Sequence, residues 1–374
     1  MRLFVRSIKV LIAQIRFVFY RALYDFKNQE LPADFSLKSV KSIVVSKMDG
    51  KLGDSVMLSP LFTELRKYRP DIKISVICTE NIAVIFRNCL RIESCLTLPK
   101  KPAKKELDGI IGRILENGPC DMLVSLEQYL RFKDFYLFRG LRPGYIAGRC
   151  SRVKSVNICL DRLLPPSHLT KYIAFILEKL GVEHPDLHYK DLATSEALAK
   201  AAAYCRPDQI TLAPWGASRA RRLRDGVILE AVKFISANSH NSVCLLIPPE
   251  GNYLKALIRR ELPEVSLIAT PEKMDCTELA AIIHLSRGVI SVNTANLHLA
   301  CASAVPLLGI YQGDKRFERE NTVWRPYTTQ HNLLICEKSG CKIKDLSFND
   351  LKASLTLFLR RLREESPTTK TQPA

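Results

Sequence analysis

The chain has 374 residues, 47% hydrophobic and 25% charged, which suits two domains with separate cores and excludes a disordered chain. No apolar run approaches the ~20 residues that span a bilayer. Arg16 and Arg21 break the apolar start and no small-residue cleavage site follows, so neither a membrane span nor a signal peptide is expected and the chain reads as cytoplasmic.

A net charge of +18 leaves nucleic acid, an anionic membrane or phosphorylated substrates as partners. Recognition motifs of nucleic-acid modules are missing, so nucleic acid is not expected. The twelve cysteines are scattered. Cys78, Cys159, Cys244 and Cys301 sit in apolar segments and read as small buried hydrophobes. Cys336 and Cys341 lack a second pair or a nearby His, so no structural metal is expected.

Residues 1–30 begin with an amphipathic helical pattern. Arg2, Arg6, Lys9, Ala13, Arg16 and Tyr20 share one face, and Phe4, Val5, Ile8, Leu11, Ile12, Ile15, Val18 and Phe19 cover the rest. Two readings stay open over residues 2–27: a helix lying on an anionic leaflet, or a helix docked on the protein's own core with its arginines in solvent.

A first α/β domain is expected over 31–190. Ser42–Ser46 reads as a buried strand, Val56–Tyr68 as a helix and Ile72–Cys78 as a strand, a βαβ unit with parallel pairing. A basic loop, Lys100–Lys105, leads to a strand at Met122–Leu126, and residues 168–180 read as a helix. The polar stretch around 183–208 is the expected crossing between domains.

The alternation restarts over 205–350. Strands are expected at Ile210–Ala213, Ser242–Ile247, Ser266–Ile268, Gly288–Val292 and Pro306–Tyr311, with helices at Gly226–Asn238, Tyr253–Glu261, Cys276–Ser286 and Leu297–Ala304. A basic amphipathic helix follows over 348–364, its 351–364 part set apart as a terminal helix, and 365–374 read as a polar disordered tail. Two blocks of βα units predict two doubly wound parallel sheets facing a cleft.

Three loops at carboxyl ends of strands carry chemistry. Lys47-Met48-Asp49-Gly50-Lys51-Leu52-Gly53-Asp54-Ser55 has glycines for close backbone approach and a helix entrance behind it, with Asp54 where a carboxylate commonly caps. Pro214 through Arg224 places four arginines beside Gly216 and Ser218 at another helix entrance, which favours phosphate over a merely solvated basic loop. Ser291 through Ala300 ends a strand and opens a helix. His298 there either contacts ligand or packs on the first turn, and taken alone packing is the stronger reading.

Together these loops resemble the lipopolysaccharide heptosyltransferases, ADP-heptose-using inverting glycosyltransferases of family 9 with the GT-B fold. Ser46 through Asp54 is similar to the family's R-x-D-x-x-G-D signature and continues into Ser59-Pro60-Leu61. Pro214 through Leu223 resembles P-G-x-S-x-x-K-R-W, Asn293 through Ala302 resembles D-T-G-x-x-H-L-A-A-A, and the block ending Cys341–Leu346 resembles a C-terminal C-x-x-x-I. The likeness runs in order from about residue 41 to 357.

The resemblance implies Asp54 as general base, Lys47, Gly50, Lys51 and Gly53 as an acceptor-side loop, and Ser218, Arg221, Arg222, Glu250, Asn293, Thr294, Ala295 and His298 around the donor. Arg221 or Arg222 stands for the family's lysine, which neutralises the departing diphosphate, and Glu250 for the acidic residue near the nucleoside. The implied donor is ADP-heptose or a similar nucleotide sugar, with no cofactor and no metal. The implied acceptor is the anionic lipopolysaccharide core at the inner leaflet, which makes the protein peripherally membrane-associated. The chain departs from the pattern at Asn293 for aspartate, Ala295 for glycine and Leu223 for tryptophan. Two alternatives therefore stand beside heptosyl transfer: the same fold with another sugar nucleotide or acceptor, and a non-catalytic sugar-nucleotide binder.

Overall fold

The computed structural model describes residues 2–239, 241–268, 270–313, 322–327 and 333–364, without the side chains of 2–7 and 9. The expected tail, 365–374, lies outside the described residues. The chain forms two compact units, one of Met1–Lys51 with Leu58–Leu187, the other of Leu52–Met57 with His188–Ala374.

The first unit is built on β1 (Ser42–Lys47), β2 (Lys73–Cys78), β3 (Ser94–Thr97), β4 (Met122–Ser125), β5 (Tyr145–Gly148) and β6 (Ile158–Cys159). They form one parallel sheet in the order β3-β2-β1-β4-β5-β6. The second unit repeats the plan with β7 (Ile210–Ala213), β8 (Val243–Leu245), β9 (Leu267–Ile268), β10 (Gly288–Val292), β11 (Leu307–Gly313) and β12 (Leu333–Ser339), ordered β12-β11-β10-β7-β8-β9. All its pairings are parallel too. In both sheets the strand order reverses once, at β1/β4 and at β7/β10, which makes these the topological switch points.

β4, β7 and β10 are buried along their whole length and β1 everywhere but its first residue, as expected of strands covered by helices on both faces. Such strands read as continuous apolar runs, which is why the sequence shows them. β3, β5, β6 and β12 are short or partly polar and were missed.

Other boundaries also moved. The expected helix Val56–Tyr68 is two helices, Leu52–Met57 and Ser59–Tyr68, broken at Leu58 because Pro60 has no N–H to continue the ladder. Lys104 and Lys105, read as loop, open a helix that runs to Glu116, where the Ala103 N–H donates to the Glu106 carboxylate at 2.6 Å. The expected crossing holds a further helix, Ser195–Ala202, its Thr194 hydroxyl accepting from the Ala197 N–H at 3.2 Å. That helix belongs to the second unit.

The first core gathers Val44, Leu123, Phe135, Phe138 and Ile146, and Phe17 from the N-terminal helix Arg2–Tyr24 joins it. Asp25 fastens the chain behind that helix by accepting from the Lys154 and Ser155 N–H groups at 2.9 Å. The second core gathers Leu212, Val232, Ile290 and Ile310 and is closed by the helix Phe348–Glu364 through Leu355, Phe358 and Leu359. Of the four cysteines read as buried, Cys78, Cys159 and Cys244 are buried and Cys301 is half-buried, all as free thiols.

Asp134, on the helix Phe132–Leu141, is buried and accepts from the Arg131 N–H at 2.8 Å. Burial pushes its carboxyl up to about 6. Because folding favours the protonated acid, its contribution to stability is present below the usual carboxylate range and is lost as pH rises through about 6. Asp134→Asn keeps an acceptor for that N–H. It should match the wild type near about pH 4 and exceed it by about 1–3 kcal/mol at about pH 7 in chemical denaturation; a pH-independent difference would contradict this account.

Candidate active site

Two strand-to-helix loops meet at the switch point of the second sheet. The loop after β7 folds back on itself. The Gly216 N–H donates to the Arg221 carbonyl at 2.7 Å, the Leu223 N–H to the Pro214 carbonyl at 3.0 Å, and Trp215 and Arg222 form an antiparallel bridge. Ser218 lies exposed at the tip of this fold. The turn carries Arg221 toward the loop after β10, where its Nη1 donates to the Asn293 carbonyl at 3.3 Å.

On that side the Asn293 N–H is tied to the Ile310 carbonyl at 3.0 Å, which fixes the loop to β11. Thr294 caps the helix Ala295–Ala302, its hydroxyl accepting from the Asn296 N–H and lying 3.2 Å from Ser291 Oγ. A guanidinium and the positive end of a helix therefore converge on one spot, a combination suited to an anion.

Arg222 points elsewhere. Its Nη2 meets Glu250 Oε1 at 3.2 Å, and its guanidinium lies 4.6 Å from the centre of the Trp215 ring. Glu250 belongs to the short turn after β8. Tyr253 stands 6.3 Å from Trp215, and the indole Nε1 is buried with no hydrogen-bond partner among the described residues. The two arginines are thus told apart: Arg221 serves the helix end, and Arg222 is committed to Trp215 and Glu250.

Asp54 sits half-buried in the first turn of the helix Leu52–Met57. By sequence it falls in the first domain, yet this helix packs in the second unit against the helix Ala295–Ala302. Gly53 makes the approach possible, since a Cβ there would meet His298 Cδ2 at 2.8 Å and the Ala295 Cα at 3.2 Å. His298 is buried and packs edge-on against Tyr189, with ring centres 6.2 Å apart. Its position supports the Gly53 turn from beneath.

The rest of the first loop belongs to the first unit and lies at the switch point of the first sheet. Gly50 has φ +70°, and its carbonyl accepts from Asn81 Nδ2 at 3.0 Å. Lys47 is almost fully buried, 2.7 Å from both Asp49 Oδ1 and Glu127 Oε1, and Lys51 reaches Asp49 Oδ2 at 3.0 Å. Burial works against the charge of Asp49, but Lys47 and Lys51 together hold its carboxyl well below the usual range. Burial pushes Glu127 up, against the pull of Lys47. One ammonium shared by two acids thus leaves them with opposite shifts. Glu127, on the loop after β4, had no sequence signal beyond lying at the end of a strand.

The family model for glycosyltransferase family 9 (heptosyltransferase) matches residues 157–349, more than half of the chain. The chain belongs to glycosyltransferase family 9. Solved structures agree on the fold. It is similar to a family 9 glycosyl transferase from Veillonella parvula DSM 2008, with a TM-score of 0.69 and 17% identity over 89% of this chain and 100% of that one. It is also similar to ADP-heptose lps heptosyltransferase II of E. coli, with a TM-score of 0.66 and 15% identity over 87% of this chain and 100% of that one. For E. coli heptosyltransferase WaaC with ADP-2-deoxy-2-fluoro heptose the values are 0.60 and 16%, over 84% and 98%. No curated protein sequence matches the chain.

In this family 9 glycosyltransferase of GT-B fold the two loops lie at the second switch point, where open parallel sheets take ligands. Its Ala295 departs from the family's glycine, but clearance against the neighbouring helix comes from Gly53 instead. Gly53→Ala should therefore cost about 1–3 kcal/mol, because the new methyl faces backbone at Ala295 as well as the His298 ring. Thermal melts should show a drop of several degrees together with reduced sugar transfer; an unchanged melting temperature would refute the packing role.

Proposed function

We propose that this glycosyltransferase takes heptose, or a closely similar sugar, from ADP-heptose and adds it with inversion to the anionic core oligosaccharide of a lipopolysaccharide. The observation that carries this reading is the meeting of Arg221 with the Asn293–Thr294 turn at a capped helix end. A diphosphate fits there: the guanidinium offers paired N–H donors, and the helix dipole favours negative charge. Relatives support the choice of donor, since WaaC of E. coli has been solved with ADP and with a fluorinated ADP-heptose.

In the proposed reaction Asp54 accepts the proton of the acceptor hydroxyl as that oxygen attacks the anomeric carbon. The bond to the diphosphate breaks on the opposite face of the sugar, and the negative charge growing on the leaving group is taken up by Arg221 and the helix end. This route assigns the leaving-group charge to protein groups and needs no metal. Trp215, Arg222 and Glu250 form the neighbouring wall for the nucleoside. Ser218, Asn293 and Ala295 are placed beside the same donor, with the Asn293 amide able both to donate and to accept toward sugar hydroxyls. The Lys47–Lys51 loop takes the acceptor side. Its anionic, lipid-borne acceptor puts the enzyme at the inner face of the cytoplasmic membrane, held peripherally.

The departures at Asn293 and Ala295 favour a second reading, a protein that binds the sugar nucleotide without turning it over. Release of ADP from ADP-heptose in the presence of truncated lipopolysaccharide separates the two. Asp54→Ala should abolish that release while ADP-heptose still raises the melting temperature. Arg221→Ala should weaken both binding and turnover, with about 1–3 kcal/mol lost per charge-assisted contact. A thermal-shift series with ADP-, GDP- and UDP-sugars tests the donor, and stabilisation by UDP-sugars alone would overturn ADP-heptose.

A further inference from the structure

The helix Arg2–Tyr24 lies on the first unit by one face only. Phe17 packs on Phe135 with ring centres 5.6 Å apart, Tyr20 on Phe132 at 5.5 Å, and Tyr24 on Phe132 and Tyr136 at 5.7 and 5.5 Å. The Arg152 guanidinium covers the Phe17 ring at 4.3 Å, and Arg21 donates to the Arg152 carbonyl. The docked reading is thus met, but through aromatic residues, and much of the apolar surface of the helix is left over.

Apart from Val10, which is 52% exposed and lies off it, that surplus forms a single stripe. Ile8, Leu11, Ile12, Ile15, Val18, Phe19 and Leu23 are each between 40% and 59% exposed. At about 100° per residue they fill an arc of roughly 140° opposite Phe17, Tyr20 and Tyr24. An apolar ridge on the outside of a folded unit marks a contact surface. No described helix is long and apolar enough to cross a membrane, so this one does not traverse a bilayer.

We propose that this outer face is a membrane-docking surface that lies in the plane of an anionic leaflet. Charge decides between occupants. The helix carries Arg2, Arg6, Lys9, Arg16 and Arg21, and no acidic residue precedes Asp25. At about 100° per residue these basic positions border or lie behind the stripe, the arrangement of helices that lie in an anionic leaflet, and the helix of a second copy offers no carboxylate to pair them. An anionic headgroup layer answers both features, taking the apolar stripe into the acyl boundary and the basic side chains at the phosphates. The aromatic clamp on the inner face keeps the helix fixed to the first unit, so docking presents that unit in one orientation rather than on a loose tether.

This surface carries the membrane part of the preceding reading and is independent of its sugar chemistry, so the test uses vesicles that contain no glycan. The full chain is sedimented with phosphatidylcholine vesicles, with or without phosphatidylglycerol. Binding should require phosphatidylglycerol and weaken with added salt. The variant Leu11→Ser/Ile15→Ser/Phe19→Ser should bind at least ~10-fold less tightly, with the wild-type melting temperature because these side chains face outward. Equal binding of variant and wild type would overturn the proposal, as would equal binding to neutral vesicles. Lipid-free self-association abolished by the same variant would assign the face to a second copy and also overturn it. A loss of sugar transfer with vesicle binding intact would count against the enzymatic reading alone.

Discussion

The reversal of strand order between β7 and β10 governs the chemistry of this chain. Both strands run the same way and lie side by side, but the connection from β7 leads toward β8 and that from β10 leads toward β11. The chain leaves their carboxyl ends in opposite senses, and the crevice at that point is where open parallel sheets take ligands. That crevice is flanked by the folded-back Trp215–Arg222 turn, the Arg221 contact with Asn293, and the capped helix that begins at Ala295. A basic loop on a continuous sheet edge would face solvent and gain little, since exposed charges interact weakly in water.

The first sheet has the same topology and a different electrostatic content. Its switch point holds a buried lysine shared by two carboxylates, with Asp49 kept ionised and Glu127 pushed toward its neutral form. The second holds guanidinium groups and a helix end, with one carboxylate, Glu250, already paired to Arg222. One fold repeated in a single chain therefore supplies two sites of different electrostatic make-up. The difference comes from the loops and not from the sheets, as expected of a scaffold whose function resides in grafted sites.

The helix Leu52–Met57 alters how the first motif is understood. Its residues belong to the chain of the first unit but pack in the second, so the loop is divided at Lys51 between two environments. Lys47 through Lys51 is held by Glu127 and Asn81, while Gly53 rests against Ala295 and His298. The break at Leu58, caused by Pro60, separates this short helix from the Ser59–Tyr68 helix. The proposed base and the two loops of the second switch point therefore share one compact unit. His298, buried beneath Gly53, holds that arrangement in place.

The sequence alone determined the fold class, because strands buried on both faces must be apolar throughout and so announce themselves: β1, β4, β7 and β10 are all legible without coordinates. It also located the three loops, since Gly, Ser, Thr and Arg at a strand end have a local reason to be there. It does not show β3 and β12, whose partly exposed residues lack that signal, or β5 and β6, whose buried stretches are too short to form a clear aliphatic run. What only tertiary structure decided concerns partners distant in sequence. Arg221 and Arg222 are neighbours with identical chemistry, and only the positions of Asn293 and Glu250 tell them apart. Glu127 matters because it lies 80 residues from Lys47 and yet beside it. The N-terminal helix shows the same division: periodicity gave its amphipathic faces, but only the aromatic residues of Phe132–Leu141 show which face docks and which is left for another surface, because burial is a property of what comes to lie against a residue and not of the residue itself.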